Sequence, residues 1–316
     1  MNVDGILNVN KPANITSFGV VSRIKRLTRQ KKVGHGGTLD PLATGVLLIM
    51  MGQATRVAEY LLEARKTYRG VMELGVTTDT YDSAGSVLTR ADATTVTRGM
   101  ASEALDHFKH VELQEPPMFS ALRHEGRHLY ELAREGASVP REARLRKVYR
   151  LEMTDWSPPL ITVELECQGG YYVRSLANDL GQYLGCGAYL KELCRLRCGD
   201  FTVEKSMSPD RLDELQKAGE LESAVLPVDA ALPHLKSIAL GADDGVAFVQ
   251  GKVISLNQAE RADEGCQENS DLVEGEGEIC RVYADDGEFL GVARLEAKSA
   301  FLYPKKVLFR SFSPKN

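Results

Sequence analysis

Residues 6–12, Ile-Leu-Asn-Val-Asn-Lys-Pro, mix apolar and polar positions and read as a strand ending in a turn. Thr16 and Ser17 then supply a helix cap. Val20, Val21, Ile24 and Leu27 recur on one face of a helix running to about Thr28. Residues 45–51 form a short continuous apolar run, the mark of a buried strand. Residues 55–62 have helical character, and 66–76 alternate as one strand. A polar loop over 77–85 carries Asp79 and Asp82. Helices are predicted over 96–108 and, beyond the break at Pro116-Pro117, around 128–134. Residues 145–153 and 161–167 read as strands, and Gly169-Gly170 as a turn. An amphipathic helix over 173–184 is stopped by Gly185-Cys186-Gly187. A short strand begins at 199–201, and 211–218 is helical.

Pro227 and Pro233 flank an expected boundary. Beyond it, short strand-like runs at 238–240, 253–256, 279–283, 289–295 and 306–309 are separated by glycine-rich acidic turns. That pattern predicts a β-rich module of about 80 residues. The full length of 316 residues suits about two domains. No apolar run approaches the roughly 20 residues of a membrane helix. The first residues lack a basic segment followed by a long apolar core, so no signal peptide is expected. The six cysteines include no Cys-x-x-Cys pair, and Cys194-x-x-x-Cys198 has no histidine near it. Zinc is therefore not expected, and reduced thiols in a cytoplasmic protein are. His124 and His128 have a helix-compatible spacing, but Gly126 between them and the lack of a third ligand argue against a metal pair.

Net charge is −5, yet it is unevenly spread. Arg23, Lys25, Arg26, Arg29, Lys31 and Lys32 form one basic run without an acid. Arg123, Arg127, Arg134, Arg141, Arg144, Arg146, Lys147 and Arg150 form a second, whereas 263–278 is strongly acidic. Local basic patches rather than the total give the footprint for a phosphate backbone; solvated helix faces are the plain alternative.

The most informative stretch is Val33-Gly-His-Gly-Gly-Thr-Leu-Asp-Pro-Leu-Ala-Thr-Gly-Val-Leu47. Glycines allow close backbone approach, so this loop can present Asp40 to a bulky substrate. The simpler expectation is a helix start, with Asp40 as cap and Pro41 at the first helical position. Neither a dinucleotide fingerprint nor a phosphate-binding loop fits, since Leu39 stands where the former needs Gly or Ala and no Gly-Lys-Ser/Thr occurs.

This stretch resembles the signature of the tRNA pseudouridine-55 synthases, the TruB family. Lys11-Pro12 with Thr16-Ser17 is similar to the family's first motif, and 35–47 to its second. Lys66-Thr67-Tyr68, Leu74-Gly75 and Thr78-Asp79-Thr80 resemble the third. Residues 116–122, Gly126 and 129–134 resemble its inserted RNA-gripping region, expected over about 117–150. Residues 170–176 resemble the remaining active-site motif, and Leu193, Arg195, Gly199 and Phe201 a further segment. Residues 282–291 are similar to the small PUA-like RNA-binding domain of bacterial relatives. Gly36, Tyr171 and Cys194 depart from the usual family residues; the first two are expected to tune the pocket and the third to weaken an ionic contact.

The resemblance implies a mixed α/β (α+β) catalytic domain on a largely antiparallel sheet over 1–232, with the PUA-like domain at 236–316. It implies isomerisation of the T-loop uridine at position 55 after base flipping. Asp40 is then the nucleophile, Arg174 its ion-pair partner, and Tyr68 a base-stacking residue able to handle a proton. Tyr172 packs near the base, Leu193 lines the pocket, and His35 and Asp79 contact RNA. The isomerisation has no net redox change, so neither cofactor nor metal is demanded. The T-loop and T-stem of tRNA are the expected partner of a monomer that uses neither guide RNA nor membrane. The rivals are a guide-RNA-dependent relative, an RNA-folding helper without chemistry, and an unrelated acid-dependent hydrolase. The last lacks a convincing second carboxylate.

Overall fold

The computed structural model describes residues 3–256, 277–296 and 300–308. Most of the acidic 263–278 run, Cys266 and Phe309 lie outside them. An eight-stranded sheet forms the centre. Its strands are β1 (Gly5–Lys11), β2 (Val33–His35), β3 (Thr44–Met51), β4 (Lys66–Leu74), β5 (Val148–Ser157), β6 (Leu160–Cys167), β7 (Ala188–Cys198) and β8 (Phe201–Thr202). The path runs β1-β3-β7-β4-β6-β5, with β2 added to β3 and β8 to β7. Every pairing is antiparallel except β3 with β7, where Thr44 and Gly45 oppose Cys194 and Arg195.

The pleat explains the apolar run of β3. Leu47, Ile49 and Met51 point to one face and Val46, Leu48 and Met50 to the other, and both faces are covered. On the first face pack α1 (Ser17–Thr28), α3 (Arg98–Lys109), α5 (Val173–Tyr183) and α6 (Pro209–Ala218), through residues such as Val20, Ile24, Ala104, Leu176, Leu180 and Leu212. On the second lie Val57, Leu61 of α2 (Ala58–Leu62) and Leu232, together with Val292 and Leu308 of the C-terminal module. Each large aliphatic side chain so buried contributes roughly 1.5–3 kcal/mol.

Among the described residues the module has five strands: Lys236–Leu240 pairs in parallel with Glu278–Ala284, followed by Phe289–Glu296, Phe301–Val307 and Ile254–Ser255. It also holds a helix, α7 (Ala242–Val249), where the sequence reading placed only strands and turns. Phe248 anchors that helix in the module's core.

Other expectations are corrected. Asp40-Pro41 starts no helix; the chain bends there and enters β3. The single strand expected over 66–76 is broken at Gly75 (φ +83°), a left-handed conformation that costs glycine little. A separate ladder, Val76–Thr78 with Val87–Arg90, follows. The strand expected over 145–153 begins later, at Val148, while Arg144–Leu145 pairs instead with Leu113–Gln114. His124 and His128 belong to a two-residue hairpin, Arg123–His124 with Arg127–His128, and not to one helix turn. The helix α4 (Leu129–Arg134) begins after His128.

Candidate active site

The Asp40 loop is pinned on both sides by backbone-directed side chains. Thr16 caps α1 by accepting the Gly19 N–H at 2.9 Å. That cap fixes Ser17, whose buried hydroxyl donates to the Leu39 carbonyl at 2.9 Å and accepts its N–H at 2.8 Å. Lys11, wholly buried at the end of β1, donates to the carbonyls of Pro12 (2.9 Å), Ile15 (2.7 Å) and Pro41 (3.1 Å). Burial pushes its ammonium down to about 8, against the pull of Asp40.

Arg195 holds the preceding residues. It is 2% exposed and donates to the carbonyls of Val46 (2.6 Å), Gly37 (3.3 Å) and Thr38 (3.4 Å). Gly45 (φ +95°) lets the Arg195 backbone come this close, since a Cβ there would collide with the Arg195 carbonyl.

Arg174 enters from the first turn of α5. Its Nε donates to Asp40 Oδ2 at 2.9 Å and its Nη2 to Oδ1 at 3.0 Å, a two-pronged grip that fixes the carboxylate plane. The remaining donors reach the Thr80 carbonyl (3.1 Å) and the Phe119 carbonyl (2.9 Å). The guanidinium is 5% exposed, whereas the Asp40 side chain keeps 31% of its surface open. A buried cation thus presents an accessible acid.

A third member was not singled out from the sequence. Asp82 Oδ2 stands 3.6 Å from Arg174 Nε and is almost as buried, at 6%. Burial pushes its carboxyl up, opposed by hydrogen bonds from Thr80 Oγ1 (2.6 Å) and the Ala84 N–H (3.0 Å), and by Arg174. Asp79 is exposed and accepts the Ser86 N–H at 2.8 Å, closing its own turn.

Tyr68 on β4 is buried opposite Arg195 on β7. Burial pushes its phenol up to about 12, with Arg195 pulling the other way. Leu193, also on β7, is buried in the same cluster. Tyr172 caps α5; its carbonyl and N–H are clamped by the Gln114 side chain at 2.9 and 2.7 Å. Its half-buried phenol is raised by burial and lies within the fields of Asp40 and Arg174. His35 ends β2, and burial followed by Arg195 pushes its imidazole down, favouring the neutral ring. Asp40, Arg174 and Tyr172 therefore converge, with Tyr68 and Leu193 on the adjoining sheet. Gly36 faces Leu61 and Leu48 in the core, not the pocket, and Tyr171 packs against the main core.

Residues 25–173 match the model of the TruB family pseudouridylate synthase N-terminal domain, and 174–233 that of the tRNA pseudouridylate synthase B C-terminal domain. A tRNA pseudouridine synthase B of Dehalococcoides mccartyi strain CBDB1 is 40% identical over 99% of both chains. The chain belongs to the TruB family. Its TruB relatives in Thiobacillus denitrificans (38% identical, covering 97% of this chain and 96% of the relative) and Pasteurella multocida (37%, 93% and 92%) span nearly the same length. The TruB fold recurs in a solved Cbf5-Nop10-Gar1 complex, with TM-score 0.72, 25% identity, and 99% and 88% of the chains covered. It recurs also in an H/ACA RNP bound to a substrate RNA containing 2'-deoxyuridine, with TM-score 0.73, 23% identity, and 98% and 87% covered.

Proposed function

We propose that this TruB-family chain isomerises the T-loop uridine at position 55 of tRNA to pseudouridine, with Asp40 as nucleophile and no guide RNA. The accessible Asp40 carboxylate, gripped through both oxygens by buried Arg174, is the observation that carries the reading. The reaction breaks the N1–C1′ bond, turns the base, and joins C5 to C1′. One hydrogen leaves C5 and one arrives at N1, so the atoms balance without an oxidant. A carboxylate that bonds transiently to sugar or base divides this into two easier steps. Such a group must be oriented before substrate arrives, and Arg174 together with the Lys11 and Ser17 pins does that.

Extruding the target base costs a few kcal/mol of unstacking. Tyr68 offers an aromatic face for the extruded base, and Leu193 and Tyr172 an enclosing wall. His35 and Asp79 serve as RNA contacts around this centre. A phenol raised to about 12 stays protonated near neutral pH, so Tyr68 serves as a hydrogen-bond donor rather than a base. The catalytic unit is assigned to 1–232 and the PUA-like RNA-binding module to 236–316.

Pseudouridine mapping on an unmodified tRNA transcript with purified protein and no guide RNA tests the reading. A single product at the T-loop uridine is expected. Asp40→Asn removes it while leaving the tRNA Kd within about threefold of wild type, because the change leaves untouched the two basic regions proposed to meet the phosphate backbone. Full activity in Asp40→Asn overturns the nucleophile. Tight binding without product in the wild type moves the chain to the guide-dependent or folding-helper class.

A further inference from the structure

We infer that the outward face of α1 is an RNA-tracking surface. On it Phe18 stacks an unpaired base beside the extruded nucleotide, and Lys25, Arg26 and Arg29 meet phosphates of the same strand. This rests on the RNA substrate proposed above.

Phe18 is 67% exposed, the most open large apolar side chain among the described residues. The inward face of α1 is already filled by Val20, Val21 and Ile24. Phe18 follows Ser17 directly, and the Ser17 hydroxyl is bonded to Leu39, the residue before Asp40. Phe18 is thus one residue along α1 from the bond that ties the helix to the Asp40 loop. Lys25 and Arg26 lie seven and eight positions on, so they share its face, and Arg29 follows at the cap; Phe18 to Lys25 spans about 10 Å of helix axis.

Charge separates this face from the rest of the helix. No carboxylate occurs between Asp4 and Asp40. Arg23 is drawn aside by Asp210 (2.5 Å) and Asp213 of α6. Lys25, Arg26, Arg29, Lys31 and Lys32 have no acidic partner among the described residues, and all but the half-buried Lys25 are exposed. One aromatic ring is too small an apolar area for a protein interface, which buries about 800 Å² per partner. A ring followed by unpaired cations is the chemistry that holds an unpaired nucleic-acid strand: stacking tolerates any base, and cations follow the backbone.

The test uses the full chain and an unmodified tRNA transcript. Phe18→Ala is expected to raise Kd and KM about tenfold or more while kcat at saturating RNA stays within about twofold. Phe18→Trp restores wild-type binding, whereas Phe18→Leu, apolar but without a π-face, stays weak. Replacing Lys25, Arg26 and Arg29 together by Ala lowers the slope of log K against log salt by about 2 to 3. An unchanged Kd in Phe18→Ala, equal binding by the Leu and Trp variants, or an unchanged salt slope overturns the proposal. If wild type binds tRNA without forming pseudouridine and Phe18→Ala still weakens binding, the catalytic reading falls and this surface stands. If product forms and Phe18→Ala binds normally, this surface alone falls.

Discussion

Arg174 carries more of the site than its single motif position suggests. Removing it leaves the buried Asp82, the more open Asp40 and the part-buried carbonyls of Thr80 and Phe119 without their cation. Breaking a buried pair by deleting one partner costs about 3–5 kcal/mol. Arg174→Met is therefore expected to lose about that much in urea unfolding, and adding Asp82→Asn recovers part of it. Strict additivity of the two changes would mean that Arg174 and Asp82 do not interact. Lys11 makes a pH prediction. Its folded value of about 8 lies below the ordinary 10.5, so between those limits the unfolded chain binds more protons. Its contribution to stability is then complete above about 10.5 and is lost as pH falls through about 8. The stability difference between wild type and Lys11→Met should grow in favour of wild type from pH 8 to pH 10, by up to a few kcal/mol. A difference flat over that range would deny the buried ammonium. The sequence pointed to Asp40, Tyr68 and Arg174 only through ordered motifs, because each has an ordinary local explanation. Asp82 was illegible beside Asp79: both sit in one polar loop, and only an isolated bridge from Asp82 to Leu190 turns it inward.

Elements with clean periodicity were readable, and those interrupted for the site were not. Thr16-Ser17 and the Val20, Val21, Ile24 face predicted α1 almost to the residue. Strand β7 went unpredicted although it lies in the middle of the sheet. Its sequence, Ala-Tyr-Leu-Lys-Glu-Leu-Cys-Arg-Leu-Arg-Cys, lacks strict alternation because irregularities fall after Leu190 and after Arg195. The second irregularity adjoins the buried arginine that holds the Asp40 loop, so the broken pattern marks where the sheet grips that loop. The join of α1 to that loop yields a prediction at this scale. Ser17→Ala leaves the Leu39 N–H and carbonyl unpaired in a buried setting, worth about 1–3 kcal/mol. Turnover should fall further than stability alone explains, since the loop presenting Asp40 loses one of the side chains that pin it. Normal kcat in a folded Ser17→Ala protein would show that Lys11, Arg174 and Arg195 position the loop without it.

At the scale of the molecule, the boundary expected near Pro227 and Pro233 separates two sheets, each with a core of its own, but a third apolar cluster runs across it. Val292 and Leu308 of the module share a cluster with Ile6, Val46, Leu48 and Leu232. Polar ties cross the same seam: Lys306 to Glu59 at 3.0 Å, Tyr283 Oη to Asp229 at 2.8 Å, Arg281 Nε to the Leu235 carbonyl at 3.0 Å, and Arg56 to the Val307 carbonyl. Composition alone could not reveal this, because periodicity reports which residues are buried and not against what. The shared cluster predicts one cooperative unfolding transition instead of two. Trp156 is the sole tryptophan and stands on β5, at the edge of the central sheet. Its fluorescence follows that sheet, while far-UV circular dichroism follows both units. Coincident urea midpoints by the two probes are expected. Leu232→Ala, at a wholly buried position of the seam, should lower both midpoints together, at a cost of about 2–5 kcal/mol. An earlier dichroism transition that leaves Trp156 unchanged would mean that the module unfolds first. The seam would then be a docked surface, and RNA bound across both units would have to hold it closed.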